Sequence, residues 1–228
     1  MAGLGRTRPA LGVAAKRAAM AGVELRAGRA ACVLSRRRHA GLGGTEDIVG
    51  GLEGGSSVSF ASGMAIAAIF DQLPTGSIVA LPDDCYQGVV GLANAGQNRG
   101  RWTVHRLAVT DTAGWIEMCG AADLIWLESP SNPLLTLADL DVICAAPRKR
   151  GAILGVDNTF ATPLIQRPLA LGADVAVQSV TKFIGGHSDL LGGVVTVRDA
   201  NLLAAAADPR ARGCHDWHSR NISRGPRG

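Results

Sequence analysis

The stretch ADVAVQSVTKFIGGHSD, residues 173–189, contains a run of small and β-branched residues that ends at a lysine. The run ADVAVQ predicts a short buried strand. Lys182 lies just beyond it, after the hydroxyls of Ser179 and Thr181 and before two glycines. A lysine in this place is either a solvated surface residue or a reactive amine, and the rest of the sequence has to distinguish the two.

Similar short apolar runs alternate with helical stretches through the middle of the chain. This order is typical of a mostly parallel sheet with helices on both faces, so the sequence predicts an α/β fold. Helices are predicted near 64–72, 89–96 and 137–147. The predicted strands are 56–60, 77–81, 102–109, 123–128, 152–156, 174–179 and 192–197.

Length and composition limit the class of protein. A chain of 228 residues with 47% hydrophobic residues is long enough for one sizeable domain. Its longest apolar stretch, FASGMAIAAIF, is much shorter than the roughly 20 residues of a membrane span, so no membrane association is expected. The five cysteines are widely spaced and odd in number, which predicts neither a disulfide framework nor a metal site and favours the cytoplasm.

Charge divides the chain into three parts. Residues 1–44 carry a net charge of +8, residues 45–197 a net charge of −7, and residues 198–228 a net charge of +3. The basic first segment permits an organelle transit peptide or a nucleic-acid-binding arm as alternatives. It is poor in serine and lacks interleaved aromatic residues, so we expect neither, and no nucleic-acid partner.

Polar residues follow five of the predicted strands. Ligands bind at the carboxyl ends of parallel strands, so these residues are expected to meet at one edge of the sheet. Each also has an ordinary structural explanation: Ser62-Gly63-Met64 as a strand-to-helix turn, Tyr86 as a packing residue, Asn132 as a turn residue before proline, and Asp157 as a helix cap. The residues concerned are Ser62, Gly63, Met64, Tyr86, Glu128, Asn132, Asp157, Ser179, Thr181 and Lys182.

One cofactor, pyridoxal 5'-phosphate, would use this combination. Its aldehyde forms a Schiff base with a lysine amine, here Lys182. Its ring nitrogen needs a carboxylate, here Asp157, and its ring face accepts an aromatic side chain, here Tyr86. Its phosphate needs a helix N-terminus and hydroxyls. These would come from Ser62, Gly63, Met64, Ser179 and Thr181.

Several motifs resemble those of the cystathionine γ-synthase and γ-lyase family, the pyridoxal-phosphate enzymes of cysteine and methionine metabolism. They are FASGMAI, DDCYQG, ESPSNPLL, VDNTFATPLIQRPLALGADVAVQSVTKFIGGHSD and GGVVTV. The resemblance covers residues 45–198. It implies the large domain of the type I aminotransferase-like fold, and a lyase or transferase of sulfur amino acids in trans-sulfuration, most closely a cystathionine γ-lyase or γ-synthase.

The resemblance also implies roles for single residues and a subunit arrangement. Lys182 and Tyr86 would be catalytic, and Asp157 would pair with the ring nitrogen. Asn132 would lie near the phenolic oxygen of the cofactor, and Glu128 would support the site. The family works as a homo-oligomer, a dimer of dimers.

The chain departs from the family pattern at both ends. Residues 30–44 contain no Tyr-x-Arg segment, and nothing after residue 198 resembles the small C-terminal domain. We therefore expect three parts: a basic, disordered, non-family segment at 1–44, the cofactor-binding large domain at 45–198, and a non-family tail at 199–228. Frameshifts at the two charge breaks would explain this.

Such a truncation leaves alternatives open. The chain could be a catalytically inactive remnant of the family, with weak cofactor binding, negligible turnover and no stable oligomer. A nucleic-acid binder with a basic arm is the other class of function considered. The sequence does not separate γ-lyase, γ-synthase and β-lyase activities.

Overall fold

A computed structural model describes residues 42–207 of the chain, and seven strands in this range form one sheet in the order β1-β7-β6-β5-β4-β2-β3. Their bounds lie within one or two residues of those predicted from the sequence. The strands are β1 (Ser56–Phe60), β2 (Ser77–Pro82), β3 (Trp102–Leu107), β4 (Leu124–Glu128), β5 (Ile153–Asp157), β6 (Val175–Gln178) and β7 (Gly193–Val197).

Most strand pairs in this sheet are parallel. Strands β3, β2, β4, β5 and β6 pair in parallel, and β7 is antiparallel to both β6 and β1. Strand β1 therefore points in the same direction as the parallel set. The carboxyl ends of β1, β2, β4, β5 and β6 lie at one edge of the sheet, and β7 begins there.

Helices cover both faces of the sheet, as the sequence predicts. They are α1 (Leu42–Glu53), α2 (Ala67–Phe70), α3 (Gln87–Asn98), α4 (Thr112–Ala121), α5 (Leu140–Ala145), α6 (Thr162–Ile165), α7 (Pro168–Leu171) and α8 (Ala200–Ala207). A short 3-10 helix, Gly63–Ile66, leads directly into α2.

Most of the core lies in two apolar layers separated by the sheet. On β4, Leu124 and Trp126 pack into one layer, and Ile125 and Leu127 into the other. This alternation follows from the opposite orientation of successive side chains in a strand. Burial on both faces explains why these strands are continuous apolar runs.

Five helices in the described range, α1, α4, α6, α7 and α8, were not predicted from the sequence. Helix α4 buries only Trp115 and Cys119, so its apolar stripe is narrow. Helix α1 contains several glycines, and α8 follows residue 198. Helix α8 packs against β1 and β7, where Ala206 is buried.

The predicted boundaries at 44 and 198 remain predictions. The segments 1–41 and 208–228, to which most of the two predicted terminal parts belong, lie outside the described residues. Within the described range, no helix is both long enough and apolar enough to cross a membrane.

Candidate functional site

The predicted site residues meet at the edge of the sheet where the parallel strands end. Each follows or ends one of the strands β1, β2, β4, β5 and β6. A series of contacts joins them from the turn after β1 to the loop after β6, and its links are described in the following paragraphs.

The turn after β1 approaches the end of β6 closely. The Ser62 hydroxyl accepts a hydrogen bond from the Met64 backbone N–H at 3.3 Å and so caps the 3-10 helix. A Cβ atom placed on Gly63 would lie 2.7 Å from Ser179 Oγ and 2.8 Å from Ser179 Cβ. Only a glycine allows this approach, which brings two of the predicted phosphate-binding elements together.

Thr181 is also at this edge, but its hydroxyl is already engaged. It donates to the Gly192 carbonyl at 3.2 Å and accepts from the Gly192 N–H at 3.0 Å. A hydroxyl has a single proton to donate. Thr181 therefore fastens the loop after β6 to the start of β7, and it would have to exchange this bond to donate to a phosphate.

Tyr86 connects the first part of the site to the carboxyl groups. Its backbone N–H donates to Glu128 Oε2 at 2.8 Å, and its side chain is 46% exposed. A Cβ atom on Gly88 would lie 2.6 Å from both Met64 Sδ and Tyr86 Cε1. The phenol ring and the Met64 side chain thus both lie against Gly88, and the exposed part of the ring can face a ligand.

Two carboxyl groups lie next to each other in this site. Glu128 and Asp157 are register partners on the parallel strands β4 and β5. Burial, and then the Asp157 charge, raise the pKa of Glu128 to about 8, although the backbone N–H groups of Tyr86 and Asn132 act in the opposite direction. Burial also raises the pKa of Asp157. Like charges on two neighbouring, largely desolvated carboxyl groups disfavour joint ionisation.

Asp157 has a local hydrogen bond as well. Its Oδ1 atom accepts from the Thr159 N–H at 2.9 Å, which is a turn contact of the kind Asp makes two residues along the chain. It does not cap helix α6, whose capping residue is Ala161. Thr159 Oγ1 in turn accepts from the Ser179 N–H at 2.9 Å and links the ends of β5 and β6.

Lys182 is exposed on the loop after β6. Its backbone N–H donates to the Ser179 carbonyl at 3.0 Å, and its carbonyl accepts from the Gly186 N–H at 2.8 Å. These bonds curl the loop into a tight turn. The neighbouring Phe183 ring lies 5.9 Å from the Phe160 ring, measured between centroids, so the lysine loop also contacts the loop after β5.

Some residues that build the site were not among the predicted ones. Thr159 and Asn158 follow Asp157, and their position after a strand was the available signal. Glu53 and Gln166 reach the site from distant parts of the chain, and no local pattern marks them. Among the described residues, no group of three or more His, Cys, Asp and Glu side chains is arranged to hold a metal ion.

A family model described as "Cys/Met metabolism PLP-dependent enzyme" matches residues 27–215. Among characterised relatives, the chain is 43% identical over 154 residues to cystathionine gamma-synthase of Mycobacterium tuberculosis, covering 66% of this chain and 39% of the relative. It is 41% identical over 163 residues to cystathionine beta-lyase of Coxiella burnetii, covering 70% of this chain and 42% of the relative.

A solved structure also resembles this chain in fold and sequence. The crystal structure of apo CalE6, a methionine gamma lyase from Micromonospora echinospora, superimposes with a TM-score of 0.68 at 37% identity. The match covers 78% of this chain and 50% of that chain. The chain therefore spans about two fifths of the length of the two relatives described above, and half of this solved chain.

Proposed function

The chain belongs to the family of Cys/Met metabolism PLP-dependent enzymes, and we propose that it is a pyridoxal-phosphate-dependent lyase or transferase of a sulfur amino acid. Among the activities in this family we propose cystathionine γ-lyase or γ-synthase activity. One observation carries the proposal: a continuous series of contacts joins the predicted phosphate-binding turn, Tyr86, the two carboxyl groups and the loop of Lys182 at one sheet edge.

The charge of the residues at this edge suits pyridoxal phosphate. Asp157 is an acid whose pKa is raised by burial, and it accepts a local backbone N–H. A cationic N–H donor beside it would favour its ionised form. The protonated ring nitrogen of pyridoxal phosphate is such a donor, so Asp157 would hold the proton at that nitrogen.

The residues also fit the cofactor in shape and polarity. The turn at Gly63 comes so close to Ser179 that a side chain on Gly63 would collide with it. This leaves the Ser62 and Ser179 hydroxyls and the start of the 3-10 helix at one place, which suits a phosphate group. The exposed phenol ring of Tyr86 would lie against the ring of the cofactor.

Pyridoxal phosphate, when bound, supplies an aldehyde that condenses with amines and a ring that withdraws electrons from the substrate Cα. The chain supplies the groups around it. The Lys182 amine would bind the aldehyde and, once the substrate amine has replaced it there, the freed amine would take up the proton from the substrate Cα. Asp157 would keep the ring nitrogen protonated, and Glu128 would hold the backbone of Tyr86 in place through its 2.8 Å hydrogen bond.

The identity of the substrate, the oligomeric state and the location are further parts of the proposal. Cystathionine gamma-synthase, cystathionine beta-lyase and methionine gamma lyase are the names of the proteins to which the chain is similar, which supports a sulfur amino acid as substrate. We propose a homo-oligomer, because the resemblance to the family implies one. We also propose a cytoplasmic location, supported by the free, buried Cys85, Cys119 and Cys144.

Titration with pyridoxal phosphate, followed by an assay with cystathionine, tests the proposal. We expect saturable binding by the purified 228-residue chain, seen as a change in cofactor absorbance, and either release of thiol from cystathionine, for a γ-lyase, or formation of cystathionine from cysteine and an O-acyl homoserine, for a γ-synthase. Replacing Lys182 by alanine should abolish both signals, whereas Lys149→Ala should retain them.

The results of these experiments distinguish an active enzyme from an inactive remnant of the family. Binding that depends on Lys182 without any turnover would support an inactive remnant of the family. A chain that folds but shows no binding that depends on Lys182 would overturn the proposed function.

A further inference from the structure

Three buried polar side chains meet behind the candidate site. Glu53, at the end of helix α1, is 1% exposed, Asn158 is 0% exposed and Gln178 is 1% exposed. Glu53 Oε1 accepts from Asn158 Nδ2 at 2.8 Å and from Gln178 Nε2 at 2.5 Å. One carboxyl oxygen of α1 thus connects the ends of β5 and β6. Polar groups buried this deeply cost stability unless such bonds are made.

The two residues that Glu53 holds are direct chain neighbours of predicted site residues. Asn158 follows Asp157, and Gln178 precedes Ser179. Glu53 therefore holds the side chains that are next in the chain to the Asp157 carboxyl and the Ser179 hydroxyl.

The same cluster extends to the end of β4. Gln166 Nε2 donates to Asn158 Oδ1 at 3.0 Å and to the Ser129 carbonyl at 2.9 Å, next to Glu128. The Gln166 carbonyl accepts from Asn158 Nδ2 at 2.8 Å. The cluster therefore reaches the backbone or the side chains at the ends of β4, β5 and β6.

The Glu53 carboxyl is not fully hydrogen-bonded at this position. Within residues 42–207 its second oxygen, Oε2, is buried without a hydrogen-bond partner. Burial raises the pKa of this carboxyl, while the amide donors and the Arg167 charge lower it. A buried carboxyl with one unpaired oxygen reduces stability, so a gain in stability does not account for this arrangement.

We propose that Glu53 is a positioning residue of the cofactor site: by holding Asn158 and Gln178 it fixes the ends of β5 and β6, and so sets Asp157 and Ser179 for pyridoxal phosphate. It acts through these neighbours and does not touch the cofactor. The inference rests on the proposed function for the identity of the ligand. The restraint of the two strand ends is a property of the chain alone.

Two variants at Glu53 and a matched control on the same helix test this. Glu53→Ala removes the acceptor, whereas Glu53→Gln keeps a carbonyl oxygen that can accept both bonds. Glu46→Ala is the control, because Glu46 Oε1 also accepts a partly buried bond, from the Ser59 N–H at 2.7 Å, but on β1. The measurements are the dissociation constant for pyridoxal phosphate and hydrogen exchange of the ligand-free protein.

We expect Glu53→Ala to weaken pyridoxal phosphate binding at least tenfold and to speed up amide exchange in residues 157–160 and 178–182. Glu53→Gln should bind within threefold of the parent chain, and Glu46→Ala should leave exchange in both segments unchanged. Equal affinity and exchange in Glu53→Ala and the parent, or the same losses in Glu46→Ala, would overturn the proposal.

A further variant, at Gln178, provides a test in case Glu53→Ala does not fold. Gln178→Met removes only the link to β6 and keeps the length of the side chain. It should speed up exchange in residues 178–182 but not in 157–160, and unchanged exchange would overturn the proposal. If the parent chain does not bind pyridoxal phosphate, the proposed function fails, and the exchange measurements still decide the role of Glu53.

Discussion

Glu128 and Asp157 are register partners at the carboxyl ends of adjacent parallel strands, so two carboxyl groups share one partly enclosed site. Glu128 is 3% exposed, and burial together with the charge of Asp157 raises its pKa to about 8. Asp157 also has a raised pKa because of burial. The ligand-free site is therefore destabilised when both groups are ionised, and a cationic ligand would relieve this.

The first prediction concerns the pH dependence of folding. Between about pH 4.5 and pH 8 the folded chain keeps the Glu128 proton that the unfolded chain has lost, so stability falls as the pH rises. In Glu128→Gln this decrease in stability with rising pH disappears. We expect the decrease in the free energy of unfolding from pH 5 to pH 8 to shrink by on the order of 3 kcal/mol, measured by urea denaturation.

The exposed Glu117 of helix α4 provides a control for this measurement, because its side chain lies in solvent. Glu117→Gln should leave the pH dependence of the parent chain unchanged. A parent chain and a Glu128→Gln variant with the same dependence would show that Glu128 is ionised at pH 7 in the folded protein.

The second prediction concerns Asp157. Asp157→Asn has the same shape and can still accept the Thr159 N–H, but it carries no charge for a ring nitrogen. We expect the affinity for pyridoxal phosphate to fall less than tenfold and turnover of cystathionine to fall at least a hundredfold. Asp139→Asn, which changes the capping residue of α5, should affect neither. Full turnover in Asp157→Asn would show that Asp157 only stabilises the turn that it forms with Thr159.

The sequence was sufficient to predict the strands and the edge of the sheet at which the candidate residues lie, for a physical reason. Strands buried on both faces are short apolar runs with sharp ends, as in 123–128 and 174–179. In a parallel sheet those ends lie at one edge, so residues that follow them in the chain are neighbours in space. Knowing where each strand ended therefore gave the location of Glu128, Asp157 and Ser179.

The other parts of the site depend on contacts between separate segments of the chain, which no local sequence pattern shows. Glu53 meets Asn158 and Gln178 across 105 and 125 positions of the chain. Before the structure is known, it is a single acidic residue in the glycine-rich stretch 50–55. The hydroxyl of Thr181 was predicted to hold phosphate, yet its bonds to Gly192 depend on how the loop after β6 returns to the start of β7.

The third prediction concerns the close approach at Gly63. In Gly63→Ala the new Cβ atom would lie 2.7 Å from Ser179 Oγ, so the turn or the end of β6 has to shift. We expect a loss of about 1–3 kcal/mol in stability and weaker binding of pyridoxal phosphate. Gly120→Ala, in helix α4 with no atom within 4 Å of the new Cβ, should bind normally and be slightly more stable. Unchanged binding in Gly63→Ala would exclude this turn from the phosphate site.

The fourth prediction concerns the amine that binds the cofactor. The chain has three lysines, Lys16, Lys149 and Lys182, so a covalent label can be assigned without ambiguity. Lys149 Nζ is 2.6 Å from Asp123 Oδ1, in an ion pair beside the start of β4. This edge is opposite to the candidate site, so Lys149 lies away from the residues that would bind the cofactor.

Lys182 instead lies on the loop that follows Ser179, at the edge where Asp157 and Tyr86 lie. Borohydride reduction after incubation with pyridoxal phosphate should therefore place a pyridoxyl group on Lys182, identified by mass spectrometry of the peptides. Lys182→Arg keeps the positive charge but cannot form the bond, so it should carry no label at the same cofactor concentration. A label found mainly on Lys149, or equally on all three lysines, would mean that the reaction follows amine exposure and that Lys182 has no special role.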